Sequence, residues 1–376
     1  MKSMQKSGPI PVLLTVRELN QGGIERDVGR VATHLDRSRF APHVASFHAH
    51  GMRYQELRTA GIPVFHLAVK STISLGALWQ AWRLFRYLRR HRIQLVHAWD
   101  TTAVLVIPVA WLARTPAILS SVLGYRDLID QRSRQLWRQT DRLVKGIVVN
   151  CEAMRRHVIE DEGARVRVEL CYNGVDTKQF YPAPERPTEA RPVVIGAICV
   201  LRPEKALHLL QEAFARMRKL NPGTACKLMV VGSGPELERL QANAVQLGIT
   251  EDSSFIPATS QVTSYLHQID IFVLCSYSEA FSNALLESMA CGCCPVGSRV
   301  GGTPEMLGEN GERGLLFQNG DAGDLAEKLA RLMGDPALRQ SLARSAEAYA
   351  RETLNMENNA RRTEEIYDSF LGRSSS

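Results

Sequence analysis

Short apolar segments alternate with longer amphipathic segments along almost the whole chain of 376 residues. The short segments have the composition of buried strands, and the segments between them have helical periodicity. In the first half, the predicted strands are residues 12–16, 43–47, 64–67, 95–99, 117–121, 147–150 and 168–172. This alternation is typical of βαβ units and predicts a parallel sheet covered by helices.

Four prolines within residues 181–192 interrupt this alternation, as expected of a linker. A second series of predicted strands follows at residues 193–200, 227–231, 254–256, 271–275, 294–297 and 314–317. We therefore predict an α/β protein with two doubly wound, Rossmann-like domains, residues 1–182 and 183–354. Ligands of such folds bind outside the carboxyl ends of the strands, so the cleft between the domains is the expected site.

The charge is unevenly distributed between the two halves. The first 190 residues hold 28 Lys and Arg against 17 Asp and Glu, a net charge of +11, and the remainder has a net charge of −4. This excess indicates an anionic partner for the first half, either phosphate groups or a membrane surface. Nucleic acid would fit the charge, but no helix-turn-helix, zinc-finger spacing or RNP-like strand supports it. We predict no nucleic-acid partner.

Cysteine usage and hydropathy favour a protein of the reducing cytoplasm. The eight cysteines are scattered, and Cys291, Cys293 and Cys294 lack the second Cys/His cluster of a four-ligand metal site. We interpret them as small packed residues. The apolar segment 103–113 contains Pro108 and is too short to span a bilayer. Lys2 and Lys6 precede an apolar run, but no signal-peptide cleavage site follows it.

Residues 78–92 form a basic amphipathic segment. Apolar residues stand at positions 78, 81, 82, 85 and 88, and five arginines occupy the other side. One interpretation is a helix that packs Trp82, Phe85 and Leu88 on the sheet and leaves the arginines in solvent. The other is a helix that docks on an anionic membrane surface, which would make the protein peripheral at the inner face of the membrane. A second basic cluster follows at Arg132, Arg134, Arg138, Arg142 and Lys145.

Candidate chemistry is concentrated after the apolar strand 271–275. Glu279 lies in the loop that follows, Ser282 is a predicted helix N-cap, residues 283–291 favour a helix, and Gly292 is its predicted end. Glu287 then lies about one turn beyond Asn283. A carboxylate and the free N–H groups of a helix N-terminus suit a polyhydroxylated ligand, although a capped helix with two solvated glutamates would have the same spacing.

Two further segments suit phosphate. Gly22 and Gly23 follow the first strand and lead into a helix, where glycines let a phosphate approach backbone N–H groups closely. Arg202 and Lys205 follow the first strand of the second domain, and two cations there suit a diphosphate leaving group. A tight turn and a surface pair with Glu204 are the plain structural alternatives.

Together these segments resemble the retaining, nucleotide-sugar-dependent glycosyltransferases of family four, the group 1 glycosyl transferases of GT-B fold. Glu279 and Glu287 resemble the ends of that family's Glu-x7-Glu motif, and Gly22-Gly23-Ile24-Glu25 resembles its glycine loop. Four other segments match its motifs in order: Asn173-Gly174-Val175-Asp176, Arg202-Pro203-Glu204-Lys205, Val231-Gly232-Ser233-Gly234-Pro235-Glu236 and Gly301-Gly302-Thr303-Pro304-Glu305. The resemblance covers roughly residues 10–350. It also implies that a last helix, residues 355–371, crosses back onto the first domain.

The resemblance implies a role for each candidate residue. Arg202 and Lys205 would hold the diphosphate, Glu287 the ribose, and Glu279 the hydroxyls of the donor sugar. The other implied donor-binding residues are Gly22, Gly23, Gly234, Glu236, Phe281, Ser282 and Asn283. No metal or other cofactor is implied, since relatives of this fold commonly work without a divalent ion.

One departure concerns the acceptor side. Many family members place a histidine directly after the strand that is predicted here at residues 117–121, and this chain has Val122-Leu123-Gly124-Tyr125-Arg126. His97 at the end of a neighbouring strand is a candidate catalytic residue, although a lone histidine there is more often a structural hydrogen-bonding group. Arg126 is a candidate for contact with the acceptor.

The resemblance therefore implies a retaining hexosyltransferase that uses a UDP- or GDP-sugar. The acceptor would be a carbohydrate, a lipid-linked or a small molecule in cell-surface polysaccharide or glycolipid synthesis. One alternative is a nucleotide-sugar epimerase, which would convert donor without acceptor. Another is a non-catalytic subunit, which would bind the nucleotide sugar without turnover.

Overall fold

The computed structural model describes residues 8–20, 22–69, 75–183 and 191–373. The chain divides into two compact units, Met1–Asn173 with Met356–Ser376, and Gly174–Asn355. Residues 184–190 of the predicted linker, together with Lys2 and Lys6, lie outside the described residues.

The first unit is built on a seven-stranded parallel sheet in the order β3-β2-β1-β4-β5-β6-β7. Its strands are β1 Ile10–Glu18, β2 Phe40–His48, β3 Val64–His66, β4 Leu95–Trp99, β5 Ala117–Val122, β6 Gly146–Val149 and β7 Arg167–Leu170. Its helices are α1 Gly23–His34, α2 Met52–Thr59, α3 Leu75–Arg90, α4 Ala103–Leu112, α5 Gln131–Thr140 and α6 Glu152–Arg156. Each of the seven predicted segments forms one of these strands.

The second unit is built on a six-stranded parallel sheet in the order β10-β9-β8-β11-β12-β13. Its strands are β8 Val193–Ile198, β9 Cys226–Val231, β10 Ser253–Ile256, β11 Ile271–Leu274, β12 Cys294–Ser298 and β13 Leu315–Phe317. Its helices are α7 Leu207–Leu220, α8 Leu237–Gln246, α9 Val262–Leu266, α10 Asn283–Ala290, α11 Thr303–Leu307, α12 Ala322–Gly334 and α13 Pro336–Glu352. Both sheets are Rossmann-like, as predicted.

The chain leaves the first unit between Asn173 and Gly174, whereas the sequence analysis placed the division between residues 182 and 183. Hydrogen bonds explain the difference. The Val175 N–H donates to the Leu354 carbonyl at 2.8 Å, and the His267 ring donates to the Tyr181 carbonyl at 2.7 Å. Residues 174–181 are therefore held by the second unit, although the break in the hydrophobic pattern comes later, at the prolines.

The last helix, α14 Met356–Leu371, returns to the first unit, as the resemblance implied. It packs on α1 and is tied to the loop before β2. Arg39 forms ion pairs with Glu364 and Asp368, and the Asp36 N–H donates to Glu364 at 2.7 Å. The buried carboxylates of α14 therefore have partners in the unit on which the helix packs.

Each unit has its own apolar core, formed by one sheet and the helices that cover it. In the parallel sheets both faces are covered, so the strands are nearly continuously hydrophobic. No helix in the described ranges is both long enough and apolar enough to cross a bilayer.

Candidate functional site

The strand order of the second unit brings two distant motifs together. β8 and β11 are neighbours at the point where the order reverses, with Ile195 paired to Ile271. Such a switch point opens a crevice at the carboxyl edge of the sheet. The segment after β8 carries Lys205, and the segment after β11 carries Glu279. The sheet topology therefore brings the predicted phosphate-binding residue and the predicted sugar-binding residue together.

Lys205 and Glu279 form an ion pair at this edge. The Lys205 Nζ lies 2.6 Å from the Glu279 Oε2, and the Ser276 hydroxyl donates to the same oxygen at 3.2 Å. Burial lowers the pKa of Lys205, but the charge and hydrogen bond of Glu279 outweigh that effect, so the pKa is raised overall. Lys205 is therefore a permanent cation at neutral pH, held beside a carboxylate.

The backbone around Lys205 is fixed by the extension of β11. The Tyr277 N–H donates to the Glu204 carbonyl at 2.9 Å, and the Cys275 thiol donates to the Lys205 carbonyl at 3.2 Å. The segment after β8 and the segment after β11 are thus joined by backbone contacts as well as by the ion pair, which limits the movement of both charged groups.

Two glycines of the Gly-Gly-Thr-Pro-Glu motif support the Glu279 backbone. Gly301 has φ of +49°, and a Cβ on it would lie 1.7 Å from the Glu279 carbonyl oxygen. The Gly302 N–H donates to the Ala280 carbonyl at 2.6 Å. A side chain at position 301 would push directly on the residue that carries the carboxylate.

Helix α10 begins and ends where the sequence indicated. The Ser282 hydroxyl accepts the Leu285 N–H at 3.3 Å as the N-cap, and Gly292, with φ of +74°, follows the C-cap Cys291. The backbone of Asn283 opens the helix, and Phe281 and Ser282 are buried. Glu287 is also buried, one turn along the helix. Helix α10 thus carries both the N-cap that the sequence predicted and a buried carboxylate.

Arg202 lies beside the glycine loop that follows β9. The Leu201 N–H donates to the Ser233 carbonyl at 3.1 Å, and the Glu236 N–H donates to the Leu201 carbonyl at 3.1 Å. A Cβ on Gly234 would lie 2.4 Å from that carbonyl oxygen. The Arg202 side chain is largely exposed, 3.8 Å from Glu204, and Glu236 is paired with Arg239 at 3.1 Å. Arg202 is therefore accessible to an anion.

The glycine loop of the first unit lies at the corresponding switch point, between β1 and β4. Gly22 is the N-cap of α1, and Gly23 is its first residue. A Cβ on Gly22 would lie 1.8 Å from a carboxylate oxygen of Glu25, so the glycine makes room for that side chain. Burial, followed by the charges of Glu18 and Asp100, raises the pKa of Glu25.

His97 has a structural environment, so its prediction as a catalytic residue is corrected here. The side chain is 1% exposed, with Nδ1 2.9 Å from the Tyr367 hydroxyl and Nε2 2.7 Å from the Ser121 hydroxyl. Burial lowers the pKa of His97 to about 3. Both nitrogens are used in linking β4, β5 and α14.

Arg126 is likewise buried, and its prediction as an acceptor contact is corrected. It is 1% exposed, and its Nη1 lies 2.6 Å from Asp141 and 3.1 Å from Glu162. Its guanidinium also stacks over the Trp137 ring at 4.5 Å. Two carboxylates and an aromatic face compensate the buried charge, which therefore holds the helical region after β5 together.

Comparison with known families identifies the chain. The model of glycosyl transferases group 1 matches residues 183–349, and the model of glycosyltransferase family 4 matches residues 21–179. Together they span both units. The chain belongs to the group 1, family 4 glycosyltransferases.

Two curated relatives and one solved structure are similar to this glycosyltransferase. A D-inositol 3-phosphate glycosyltransferase from Nocardia farcinica is 26% identical over 69% of this chain and 58% of the relative. An N-acetyl-alpha-D-glucosaminyl L-malate synthase from Bacillus anthracis is 28% identical over 54% of each chain. The match thus spans little more than half the length of these relatives. Anabaena HepE, solved with UDP and glucose, has a TM-score of 0.83 and 21% identity over 96% of this chain and all of HepE, which shows the GT-B fold.

A polar group that the sequence pattern did not indicate follows β11 in this glycosyltransferase. The Tyr277 hydroxyl lies 3.1 Å from the His208 Nε2, and the Asn319 amide donates to the Tyr277 carbonyl at 3.1 Å. Ser276, which donates to Glu279, was missed as well. Tyr277 and Ser276 directly follow β11, so their position at a carboxyl strand end was the available signal.

Among the described residues of the glycosyltransferase, no group of three or more His, Cys, Asp or Glu is arranged to hold a metal ion. The cysteines of the Cys-Gly-Cys-Cys segment are buried and form no disulfide, and the Cys293 thiol donates to the Leu266 carbonyl at 3.3 Å. This segment connects α10 to β12, and its three cysteines are 0% exposed, in agreement with its interpretation as small packed residues.

Proposed function

We propose that this glycosyltransferase transfers a hexosyl unit from a nucleotide diphosphate sugar to an acceptor, with retention of configuration at the transferred carbon. One observation carries the proposal: Lys205 and Glu279 lie 2.6 Å apart at the switch point of the second unit. A cation suited to diphosphate and a carboxylate suited to sugar hydroxyls thereby lie together at one edge of the sheet, where they can bind adjacent parts of one donor molecule.

The diphosphate is bound by Arg202 and Lys205. Arg202 is accessible and its planar guanidinium can grip two phosphate oxygens, whereas Lys205 acts as a point charge. Negative charge grows on the leaving diphosphate as the glycosidic bond breaks. One preorganised donor aimed at such charge contributes about 3–4 kcal/mol to the lowering of the barrier.

The sugars of the donor are bound by the segment after β11 and by α10. Glu279 accepts hydrogen bonds from hydroxyls of the hexose. The backbone N–H groups around Phe281, Ser282 and Asn283 donate to its oxygens. The buried Glu287 accepts from the ribose hydroxyls. Gly234 and Glu236 border the nucleotide in the second unit, and Gly22 and Gly23 provide the glycine loop of the first. The two glutamates position the donor and do not act as an acid/base pair.

UDP is the nucleotide that we test first, because HepE was solved with UDP and glucose and has the same fold. A GDP-sugar is the second candidate. The reaction is proposed to follow same-face attack, in which the leaving phosphate assists removal of the acceptor proton. Arg202 and Lys205 supply the cationic charge, so no divalent ion is needed. The proposed acceptor is a carbohydrate or lipid-linked glycan of the cell surface.

The test is a thermal-shift panel of UDP, GDP, TDP and their hexoses, followed by a transfer assay with the donor that binds. A ligand that binds only the folded protein raises its melting temperature by mass action. Glu287→Ala should abolish the shift, and Glu251→Ala, an exposed glutamate of the second unit, should leave it intact. A nucleotide shift that survives Glu287→Ala would contradict the assignment. Donor conversion without acceptor would indicate an epimerase, and binding without turnover a non-catalytic subunit.

A further inference from the structure

Helix α3 of the first unit exposes an apolar stripe to solvent. Leu75, Leu78, Trp79 and Trp82 are 87%, 68%, 57% and 46% exposed. They stand at positions i, i+3, i+4 and i+7, so they share one side of the helix. The two indole rings stack, with centroids 4.7 Å apart. Scattered exposed apolar residues are ordinary, but a contiguous stripe with two tryptophans marks an interaction surface.

The opposite side of α3 already faces the core. Ala77, Gln80, Leu84 and Leu88 are buried, which satisfies the packing of the helix against its own unit. The sequence interpretation in which Trp82, Phe85 and Leu88 pack on the sheet is therefore wrong for the exposed Trp82, whereas Phe85 is partly buried and Leu88 is buried. The two tryptophans do not contribute to the buried side of α3. Their exposure is therefore explained by contact with a binding partner.

Basic residues continue the same stripe. Arg86 follows Trp82 one turn later, with its guanidinium 4.8 Å from the indole centroid, and Arg89 and the neighbouring Arg90 are exposed in the last turn. No acidic residue occurs in the helix. The stripe is therefore apolar in its first half and cationic in its second half. The second basic cluster differs, because Arg134 pairs with Asp127 and Arg138 donates to the Glu162 carbonyl.

The direction of α3 relates this stripe to the carboxyl edge of the sheet. A helix that connects two parallel strands runs back from the carboxyl edge to the amino edge. Leu75 and Trp79 therefore lie toward the edge at which Gly22 and Glu25 stand, and Arg89 and Arg90 lie toward the other edge. A partner bound to the stripe would approach the carboxyl edge of the first unit.

We propose that the α3 stripe, defined as Leu75, Leu78, Trp79, Trp82, Arg86 and Arg89, docks this protein on a bilayer that contains anionic lipid. Tryptophan rings favour the boundary between headgroups and acyl chains, and arginines bind anionic headgroups in the same plane. The charge complementarity and the lack of acidic residues on α3 favour a lipid surface over an acidic peptide, which would need a defined groove. The inference goes beyond the proposed activity and does not depend on it.

The experiment is co-sedimentation of the full chain with two kinds of vesicle, phosphatidylcholine alone and phosphatidylcholine with about 30% phosphatidylglycerol. The salt concentration is about 0.1 M, where the Debye length is about 10 Å. The wild type should bind the anionic vesicles and bind neutral ones more weakly. Trp79→Ala with Trp82→Ala should lower the partition coefficient by about tenfold or more. Each exposed arginine removed should lower it by about fivefold.

Matched controls separate the stripe from general surface effects. Leu78→Ser should weaken binding, whereas Leu220→Ser, at a similarly exposed leucine of the second unit, should not. Replacing Arg86 and Arg89 by Gln should weaken binding more than the same change at Arg331 and Arg344, which are exposed in the second unit. Because all of these side chains are on the surface, the variants should keep the wild-type melting temperature.

Three outcomes would overturn the proposal. The first is wild-type protein that remains in the supernatant with anionic vesicles at about 0.1 M salt. The second is binding that the double tryptophan variant retains in full. The third is a dimer, seen by light scattering, that dissociates on the same double substitution, because a second copy of the chain would then be the partner of the stripe.

Discussion

Lys205 and Glu279 form an ion pair of 2.6 Å although 74 positions separate them in the chain. The pair exists because β8 and β11 are neighbours where the strand order of the second unit reverses. Both residues are largely buried there, and Ser276 also donates to Glu279. The ion pair therefore fixes the proposed diphosphate-binding residue, Lys205, and the proposed sugar-binding residue, Glu279, before any donor binds.

The support of Glu279 by Gly301 gives a first prediction. Gly301→Ala should weaken donor binding and destabilise the fold by more than about 2 kcal/mol, because its Cβ would clash with the Glu279 carbonyl at 1.7 Å. Gly248→Ala is the matched control: its φ is also positive, +65°, but nothing lies within 4 Å of the added Cβ. It should cost only about 1 kcal/mol and leave donor affinity unchanged. Urea denaturation and donor titration measure both effects, and equal behaviour of the two variants would contradict the steric argument.

The buried His97 gives a pH prediction. Its pKa is about 3 in the folded protein against an ordinary 6.5, so between these values the unfolded chain binds a proton that the folded chain does not. The free energy of unfolding should therefore fall as the pH decreases below about 6.5, by up to about 1.4 kcal/mol per pH unit from this group. His97→Gln removes this contribution.

Urea denaturation at several pH values between 7.5 and 5 checks the prediction for His97. The stability advantage of the wild type over His97→Gln should shrink steadily toward the lower pH. Sugar transfer by the variant should persist at neutral pH, because the ring binds Tyr367 and Ser121. A constant difference in stability, or a complete loss of transfer in a folded variant, would show that the structural assignment of His97 is wrong.

Arg126 should matter for stability. Arg126→Met leaves the carboxylates of Asp141 and Glu162 without their buried cation, which should cost about 3–5 kcal/mol. The control is Arg134→Met, whose partner Asp127 is 71% exposed, and which should cost at most about 1 kcal/mol. Thermal or urea denaturation compares the two. A fully stable Arg126→Met variant with a raised KM for the acceptor would instead restore the sequence prediction of acceptor contact.

Metal removal tests the proposed source of positive charge at the diphosphate. We expect the transfer rate to be the same with excess EDTA as with added magnesium, because Arg202 and Lys205 provide the cationic groups. Lys205→Gln should lower kcat in both conditions. A rate that collapses in EDTA and returns with magnesium would show that a divalent ion performs this role.

The sequence was sufficient for the architecture. All thirteen predicted apolar segments form strands, because buried parallel strands are short, continuous and hydrophobic. Helix α10 begins after Ser282 and ends before Gly292, as ordinary capping chemistry predicts. What it could not supply was the pairing of groups from different segments. The contact of Lys205 with Glu279, and that of Gly301 with the Glu279 carbonyl, depend on strand order.

Side-chain direction was the second limit of the sequence. His97 and Arg126 were predicted as site residues from their positions near strand ends, and both turn into the protein to satisfy Tyr367, Ser121, Asp141 and Glu162. On α3, the apolar positions were spread widely enough around the helix to permit two orientations. The structure buries the side of Ala77 and Leu84, which leaves Trp79 and Trp82 outside.

Calorimetric titration of UDP and of UDP-hexose into three proteins tests the central claim most directly. Lys205→Met should weaken both ligands by about 10-fold or more, since each contains the diphosphate. Glu279→Gln should leave UDP affinity within about threefold of the wild type and remove most of any gain that the hexose provides. Wild-type affinity in Lys205→Met, or equal loss of UDP and UDP-hexose in Glu279→Gln, would contradict the assignment of these two residues to diphosphate and sugar.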